Sequence, residues 1–155
     1  MPDLHYTDPI LAAVYDLDSG WSEDRDFYLT LAGPAPQRIL DLGCGTRLLC
    51  EAYARLGDQV TGVDPAPAML DAARDRPLAG RISYVLATAQ GFRLDQRFDL
   101  IIMTGHAFQV LLTDPDINAA FATMRAQLAP GGARRPARAD KRQPFRPAIS
   151  SRISI

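Results

Sequence analysis

The run Arg38–Leu42 (RILDL) stops at Gly43-Cys44-Gly45, and a helical stretch begins almost at once. An apolar run this short, entering a glycine turn, reads as a strand buried on both faces. In the stretch that follows, Arg47–Leu56, residues Leu48, Leu49, Ala52 and Leu56 lie on one side, and Gly57 closes it. The alternation continues with a strand over Gln59–Val63 (QVTGV) ending at Asp64, a helix over Pro67–Asp75 and a strand over Ile82–Leu86 (ISYVL). A fourth strand, Phe98–Met103, precedes a helix capped by Asp114, with Pro115 at its first position and Ile117, Ala120, Phe121, Met124 and Leu128 at core spacing. Short apolar strands alternating with helices predict an α/β fold: a parallel sheet with helices on both faces. The stretch between the third and fourth strands is short and holds Gly91, so its crossover is reduced to a turn.

The flanks differ from this core. Pro9–Asp18 (PILAAVYDLD) and Trp21–Ala32 (WSEDRDFYLTLA) predict two helices, the second capped by Ser22 with Glu23 and Asp24 at the positive end of its dipole. Gly33-Pro34-Ala35-Pro36 ends it. Residues 1–133 hold 10 Arg and no Lys against 17 Asp and Glu, a net −7, whereas residues 134–155 carry +6. An acidic body is a poor surface for nucleic acid, because neutralising phosphate requires cations, so no specific nucleic-acid partner is expected. The tail is rich in Arg and Pro and predicts disorder. ISSRISI at its end does alternate at period two, which allows a short strand. There is no signal-peptide pattern at the N-terminus and no run long enough to span a membrane. The two cysteines, Cys44 and Cys50, form neither a CxxC pair nor a zinc pattern; no metal is expected, and a reducing cytoplasm is the default compartment.

The chemistry concentrates in Ile39–Thr46, ILDLGCGT. Gly43 and Gly45 permit backbone angles closed to other residues and let a ligand approach the main chain. The turn lies at the carboxyl end of a parallel strand, where open α/β sheets bind ligands. Asp41 can accept hydrogen bonds from a ligand amine or from the turn. Asp64, nineteen residues after Gly45, stands where an acid can accept both hydroxyls of an adenosine ribose. Leu48 occupies the third position of a GxGxxG pattern and no Gly-Lys-Ser/Thr follows, which disfavours a nicotinamide-dependent oxidoreductase and a P-loop. A tight turn without a ligand is the plainer alternative.

With these motifs in family order, ILDLGCGT, VTGVDPAPAMLDAAR, FDLIIMTGHAFQ and a helix ending LAPGG, the chain resembles the class I S-adenosylmethionine-dependent methyltransferases over about Ile39–Gly132. AVYD followed by DSGWSEDRDFY is similar to the N-terminal helices that lid the cofactor in small bacterial members. The resemblance implies a Rossmann-like sheet in one domain over residues 1–133, with a helical lid over 1–36 and the core over 37–133. It implies S-adenosylmethionine as cofactor and a small-molecule acceptor. Carried over by position, Asp41, Gly43, Cys44 and Gly45 hold the methionine moiety and Asp64 the ribose, while Pro65 and Met69 line the adenine. Thr88, Ala89 and Gln90 form the adenine-edge loop, Tyr15 covers the cofactor from the lid, and Thr104 begins the loop facing the methyl group.

Three departures stand out. Arg47 replaces the family's usual third glycine, and Thr88 replaces the usual acid, which removes charge assistance from the hydrogen bond to the adenine amino group. Beyond LAPGG the family continues with a fifth strand and an antiparallel pair, whereas this chain reads ARRPARADKRQPF. That shift suggests a truncation or frameshift after about residue 132, with the C-terminal half of the sheet missing. The fourth strand then becomes an apolar edge that recruits another chain into a homo-oligomer, the favoured outcome, or is paired by ISSRISI in the same chain or across a dimer. Cys44 reads as a small residue fitting the turn and Cys50 as helix core. His106 is a general base or acceptor contact on one reading and loop packing on the other; Phe108 and Trp21 are acceptor lining or lid packing. No residue establishes a catalytic base. A fragment that binds S-adenosylmethionine without turnover is the rival to an active enzyme.

Overall fold

The computed structural model describes residue 10 and residues 23–45, 48–130 and 153–154. At its centre lies β1 (Arg38–Leu42), in which Ile39, Leu40 and Leu42 are wholly buried. Parallel to it on one side runs β2 (Gln59–Asp64), with Leu40 opposite Thr61; on the other side runs β4 (Leu100–Ile102), with Leu40 opposite Ile101. Outside β2 lies β3 (Ile82–Leu86), and outside β4 lies β5 (Ile153–Ser154), so the order is β3-β2-β1-β4-β5. The chain winds outward from β1 to β3 and then returns to the opposite side of β1. This reversal places the switch in strand order at the carboxyl ends of β1 and β4, the usual ligand position in such sheets. Asp99 pins the leading ends of these two strands. Its Oδ2 accepts from Arg38 N at 2.9 Å and Nε at 3.1 Å, and its Oδ1 accepts from Nη2 at 2.9 Å.

Both sheet faces are covered, which is why the strands read as nearly continuous apolar runs. On one face α1 (Glu23–Leu31), α2 (Leu48–Arg55) and α3 (Pro67–Arg74) pack on Ile39, Val60, Leu100 and Ile102 through residues such as Leu31, Tyr53 and Leu70. On the other, α4 (Asp114–Gln127) and the β3–β4 connection bury Met124, Ala120, Phe92 and Phe98 against Leu40, Leu42 and Ile101.

Several sequence expectations shift. Thr113, not Asp114, caps α4: its side chain accepts from Asp116 N, and its hydroxyl donates to Asp116 Oδ2 at 2.6 Å. The residues Gly105–Val110, expected as a loop, form a 3-10 helix. β4 is shorter than Phe98–Met103, because Phe98 pairs elsewhere. Phe98 N donates to Gln127 O at 2.9 Å and Ala129 N to Phe98 O at 2.8 Å, so the chain leaving α4 starts down the fifth-strand position. Further along the same edge, Ile153 and Ser154 lie beside Ile101 and Ile102. The edge expected to be unpaired is therefore occupied there, and the backbone pairing that was to recruit a second chain is met within this one. The expected helix over Pro9–Asp18 and the rest of the tail lie outside the described residues, apart from Ile10, which is helical. No described helix is long and apolar enough to cross a membrane.

Candidate cofactor site

The turn after β1 folds back onto β2. Gly43 N and Cys44 N both donate to Val63 O, at 2.7 and 3.2 Å. That requires a left-handed backbone at Gly43 (φ +69°) and Gly45 (φ +53°), which glycine adopts without steric cost. The two glycines serve different ends. A Cβ on Gly43 would lie 2.3 Å from that of Ala107, so the Gly105–Val110 helix sits directly over the turn. Among the described residues a Cβ on Gly45 would meet nothing within 4 Å, so none of them fills the turn there. Cys44 is buried and fills the space left by Gly62, where a Cβ would come within 2.9 Å of its Sγ. Its reading as a small residue fitting the turn holds.

Asp64 ends β2 and locks two loops together. Its Oδ2 accepts from Gly45 N at 2.9 Å and its Oδ1 from Ala66 N at 2.8 Å. Burial raises its pKa, and these two N–H groups oppose the rise. Each carboxylate oxygen keeps a second lone pair, so two further donors can still be accepted. The backbone of Asp64 also ties in the next loop, since Ala87 N donates to Asp64 O at 3.2 Å.

Asp41 sits on β1 opposite Gly62 and is 3% exposed. Its Oδ2 accepts from the Cys50 thiol at 3.5 Å, while its Oδ1 is buried with no hydrogen-bond partner among the described residues. Burial pushes the carboxyl up to about 7; the Cys50 hydrogen bond opposes this, nearby Asp64 adds to it, and the Arg25 charge opposes it. A buried carboxylate oxygen without a donor is costly, and it is relieved by a cationic donor reaching it.

The remaining expected residues surround this cluster. Pro65 is exposed and Met69 buried at the start of α3. Thr88 is exposed, while Ala89 and Gln90 are half-buried. The Gln90 side chain donates to Asp116 Oδ1 at 3.3 Å, and its carbonyl accepts from the Thr123 hydroxyl at 2.9 Å, so α4 holds this loop. Only the backbone and the neighbours of Gln90 are left for a ligand edge. Thr104 is half-buried and its carbonyl accepts from Ala107 N at 3.3 Å, next to the contact with Gly43. Hydrogen bonds thus join Gly45 to Asp64 and Gly43 and Cys44 to Val63 beside it, and chain continuity adds Asp41, Pro65, Met69, Thr104 and the Thr88–Gln90 loop. Phe108 packs on Phe121 with ring centroids 6.3 Å apart, which favours packing over acceptor lining. Tyr15, Trp21 and Arg47, like the side chain of His106, lie outside what is described. Sequence reasoning missed Cys50 as the partner of Asp41 and Ala107 as the cover of Gly43. Neither contact has a local spacing that could have flagged it. Among the described residues, no group of three His, Cys, Asp or Glu could hold a metal ion.

Residues 39–132 match the model of a family described as methyltransferase domain. The chain belongs to that family. Among curated relatives of this methyltransferase domain is the ubiquinone biosynthesis O-methyltransferase of Bradyrhizobium sp. (strain ORS 278), 38% identical over 97 residues, or 61% of this chain and 37% of the relative. Among solved structures, S-adenosylmethionine-bound CalS10, an amino pentose methyltransferase from Micromonospora echinaspora, is 34% identical with a TM-score of 0.65, covering 82% of this chain and 54% of that one. The CcbJ methyltransferase from Streptomyces caelestis is 27% identical with a TM-score of 0.69, covering 79% and 53%. The chain therefore spans little more than a third of that curated relative and about half of these solved structures.

Proposed function

We propose that this methyltransferase domain uses S-adenosylmethionine to methylate a small-molecule acceptor in the cytoplasm. One observation carries the reading. Among the described residues, Asp41 Oδ1 is buried without a partner two residues ahead of a glycine turn that nothing fills at Gly45, and Asp64 closes on the same turn from the next strand. These donor and acceptor types fit the cofactor. Its ammonium matches the unpaired Asp41 oxygen, its ribose hydroxyls match the spare lone pairs of Asp64, and its methionine chain lies along Gly43, Cys44 and Gly45. Pro65 and Met69 would line the adenine, Thr88, Ala89 and Gln90 its edge, and Thr104 the methyl end, with Tyr15 as cover. CalS10, bound to S-adenosylmethionine, supports the choice of cofactor. That protein and the ubiquinone biosynthesis relative also support a small-molecule acceptor. Both cysteines are free thiols, in keeping with a reducing compartment.

When bound, the cofactor supplies a methyl group on a sulfonium, already activated for in-line displacement. The protein's part is then proximity and orientation. Asp41 fixes the amino-acid end by charge, Asp64 fixes the ribose, and the turn between them sets the distance. The Gly105–Val110 helix, held over Gly43 by Ala107, carries Thr104 at its entry and forms one wall beside the turn. No side chain is assigned as a base. A second reading, binding without turnover, draws on β5, because a two-residue strand is a small substitute for a complete sheet edge.

The test is calorimetric titration with S-adenosylmethionine and S-adenosylhomocysteine, followed by a labelled-methyl transfer assay over small hydroxyl and amine acceptors. Binding with transfer supports the proposal. Binding without transfer to any acceptor supports the second reading, and binding of neither compound overturns both.

A further inference from the structure

We propose that Cys50 is a positioning residue for this site: its thiol holds one oxygen of Asp41 and leaves the other oxygen for the ammonium of the ligand. The inference rests on the proposed function and adds a residue that the resemblance does not assign.

The geometry is specific. Cys50 lies on the buried face of α2, fully inaccessible, and its Sγ is 3.5 Å from Asp41 Oδ2. Asp41 Oδ1, on the same carboxyl group, has no partner among the described residues. A carboxylate held by one donor cannot turn to share its remaining oxygen without losing that donor, so the thiol sets which oxygen is presented. The surrounding charges do not replace it. From α1, Arg25 favours the ionised form; from β2, Asp64 opposes it. From α2, the Tyr53 hydroxyl donates to the Tyr28 carbonyl rather than to Asp41, and burial raises its pKa, so it stays neutral. From the turn, the Cys44 thiol neighbours Cys50. That thiol, burial and the Asp41 charge all raise the pKa of Cys50, which therefore remains an S–H donor across the neutral range.

Removing the donor should make Asp41 harder to ionise, and with it the binding of any ligand carrying an ammonium group. The first measurement uses the ligand-free protein: the carbon-13 shift of the Asp41 carboxyl, assigned by its loss in Asp41→Asn, followed against pH. Cys50→Ala should move its midpoint upward by on the order of one pH unit, and Cys50→Ser, which restores a donor, should bring it back. Cys50→Val, close in volume but without a donor, replaces the alanine variant if that one does not fold. The second measurement is calorimetry with S-adenosylhomocysteine, and with 5′-methylthioadenosine, which lacks the amino-acid group. Cys50→Ala should weaken S-adenosylhomocysteine by roughly tenfold near neutral pH and much less at higher pH, with methylthioadenosine little changed.

An unmoved Asp41 midpoint overturns the proposal whatever the ligand does. A moved midpoint with equal, pH-independent weakening of both ligands also overturns it, because that marks a packing defect. If wild-type protein binds neither ligand while the midpoint moves, the proposed function fails and the assignment to a ligand ammonium fails with it, but the thiol–carboxyl coupling itself stands.

Discussion

Replacing Asp41 with asparagine should make the ligand-free protein more resistant to heat at neutral pH and above, and nearly unchanged only below about pH 4. The carboxyl is held at about 7 in the fold against 3.8 in the unfolded chain, chiefly by burial. A raised carboxyl pKa means that the folded state binds the proton more tightly. The stabilising contribution is complete below the unfolded value and is lost as pH rises through the folded one. Between about pH 5 and about pH 8 the loss comes to roughly 3 kcal/mol. For a chain of this size that is roughly 6–12 °C in melting temperature. Asparagine has nearly the same shape and does not titrate, so it removes this slope. Asp58 and Asp64 are also raised by burial and slope in the same direction, but they do so in both proteins and cancel in the difference. The assay is scanning calorimetry of both proteins without ligand at several pH values. The melting-temperature difference should grow in favour of the variant as pH rises from about 4 to about 7 and level off above that. A difference that is flat with pH would mean that Asp41 is not held protonated by its burial, and the reasoning about its unpaired oxygen would fail.

Gly43→Ala should cost about 2–4 kcal/mol in denaturant unfolding, because it combines a positive φ with a contact against Ala107. Gly45→Ala should cost only about 1 kcal/mol, since its Cβ meets none of the described residues, yet it should weaken S-adenosylmethionine at least tenfold by filling the ligand's approach. Reversal of that order in stability would show that Ala107 does not cover Gly43. Asp64→Ala should weaken the cofactor by about 1.5–3 kcal/mol, measured by calorimetry; unchanged affinity would remove Asp64 from the site. Thr113→Ala should lower stability by about 1 kcal/mol while Asp114→Ala does less, since Thr113 carries the cap of α4.

What could be read from the sequence was mostly local. The residues of β1 and β3 coincide with the apolar runs RILDL and ISYVL, because strands covered on both faces are short, continuous and closed by turn residues. The nearness of Asp64 to the glycine turn was legible for a similar reason, since a parallel βαβ unit brings the end of one strand beside the end of the next; the bond from Gly45 N to Asp64 was not. The cap of α4 was misplaced by one residue because Thr113 and Asp114 are both good capping residues and only the bond to Asp116 N distinguishes them. Gly105–Val110 left no mark, since a short 3-10 helix has no apolar period of its own. The pairing of Ile153 with Ile101 was foreshadowed only as one alternative, by the period-two pattern of ISSRISI, and the Cys50–Asp41 contact depends on how a helix face meets the sheet, which no spacing encodes.

The most direct test of the cofactor site is to map S-adenosylhomocysteine onto nitrogen-15-labelled protein by amide shift perturbation. The account predicts that the largest changes fall on Gly43, Gly45 and Ala66, the last two being the amides that donate to Asp64, with smaller changes at the Thr88–Gln90 loop. It would be contradicted if saturating ligand moved none of these amides. It would be contradicted equally if the changes gathered at the other end of the sheet, in the groove lined by Asp58, Thr61, Arg81, Ser83 and Gln96.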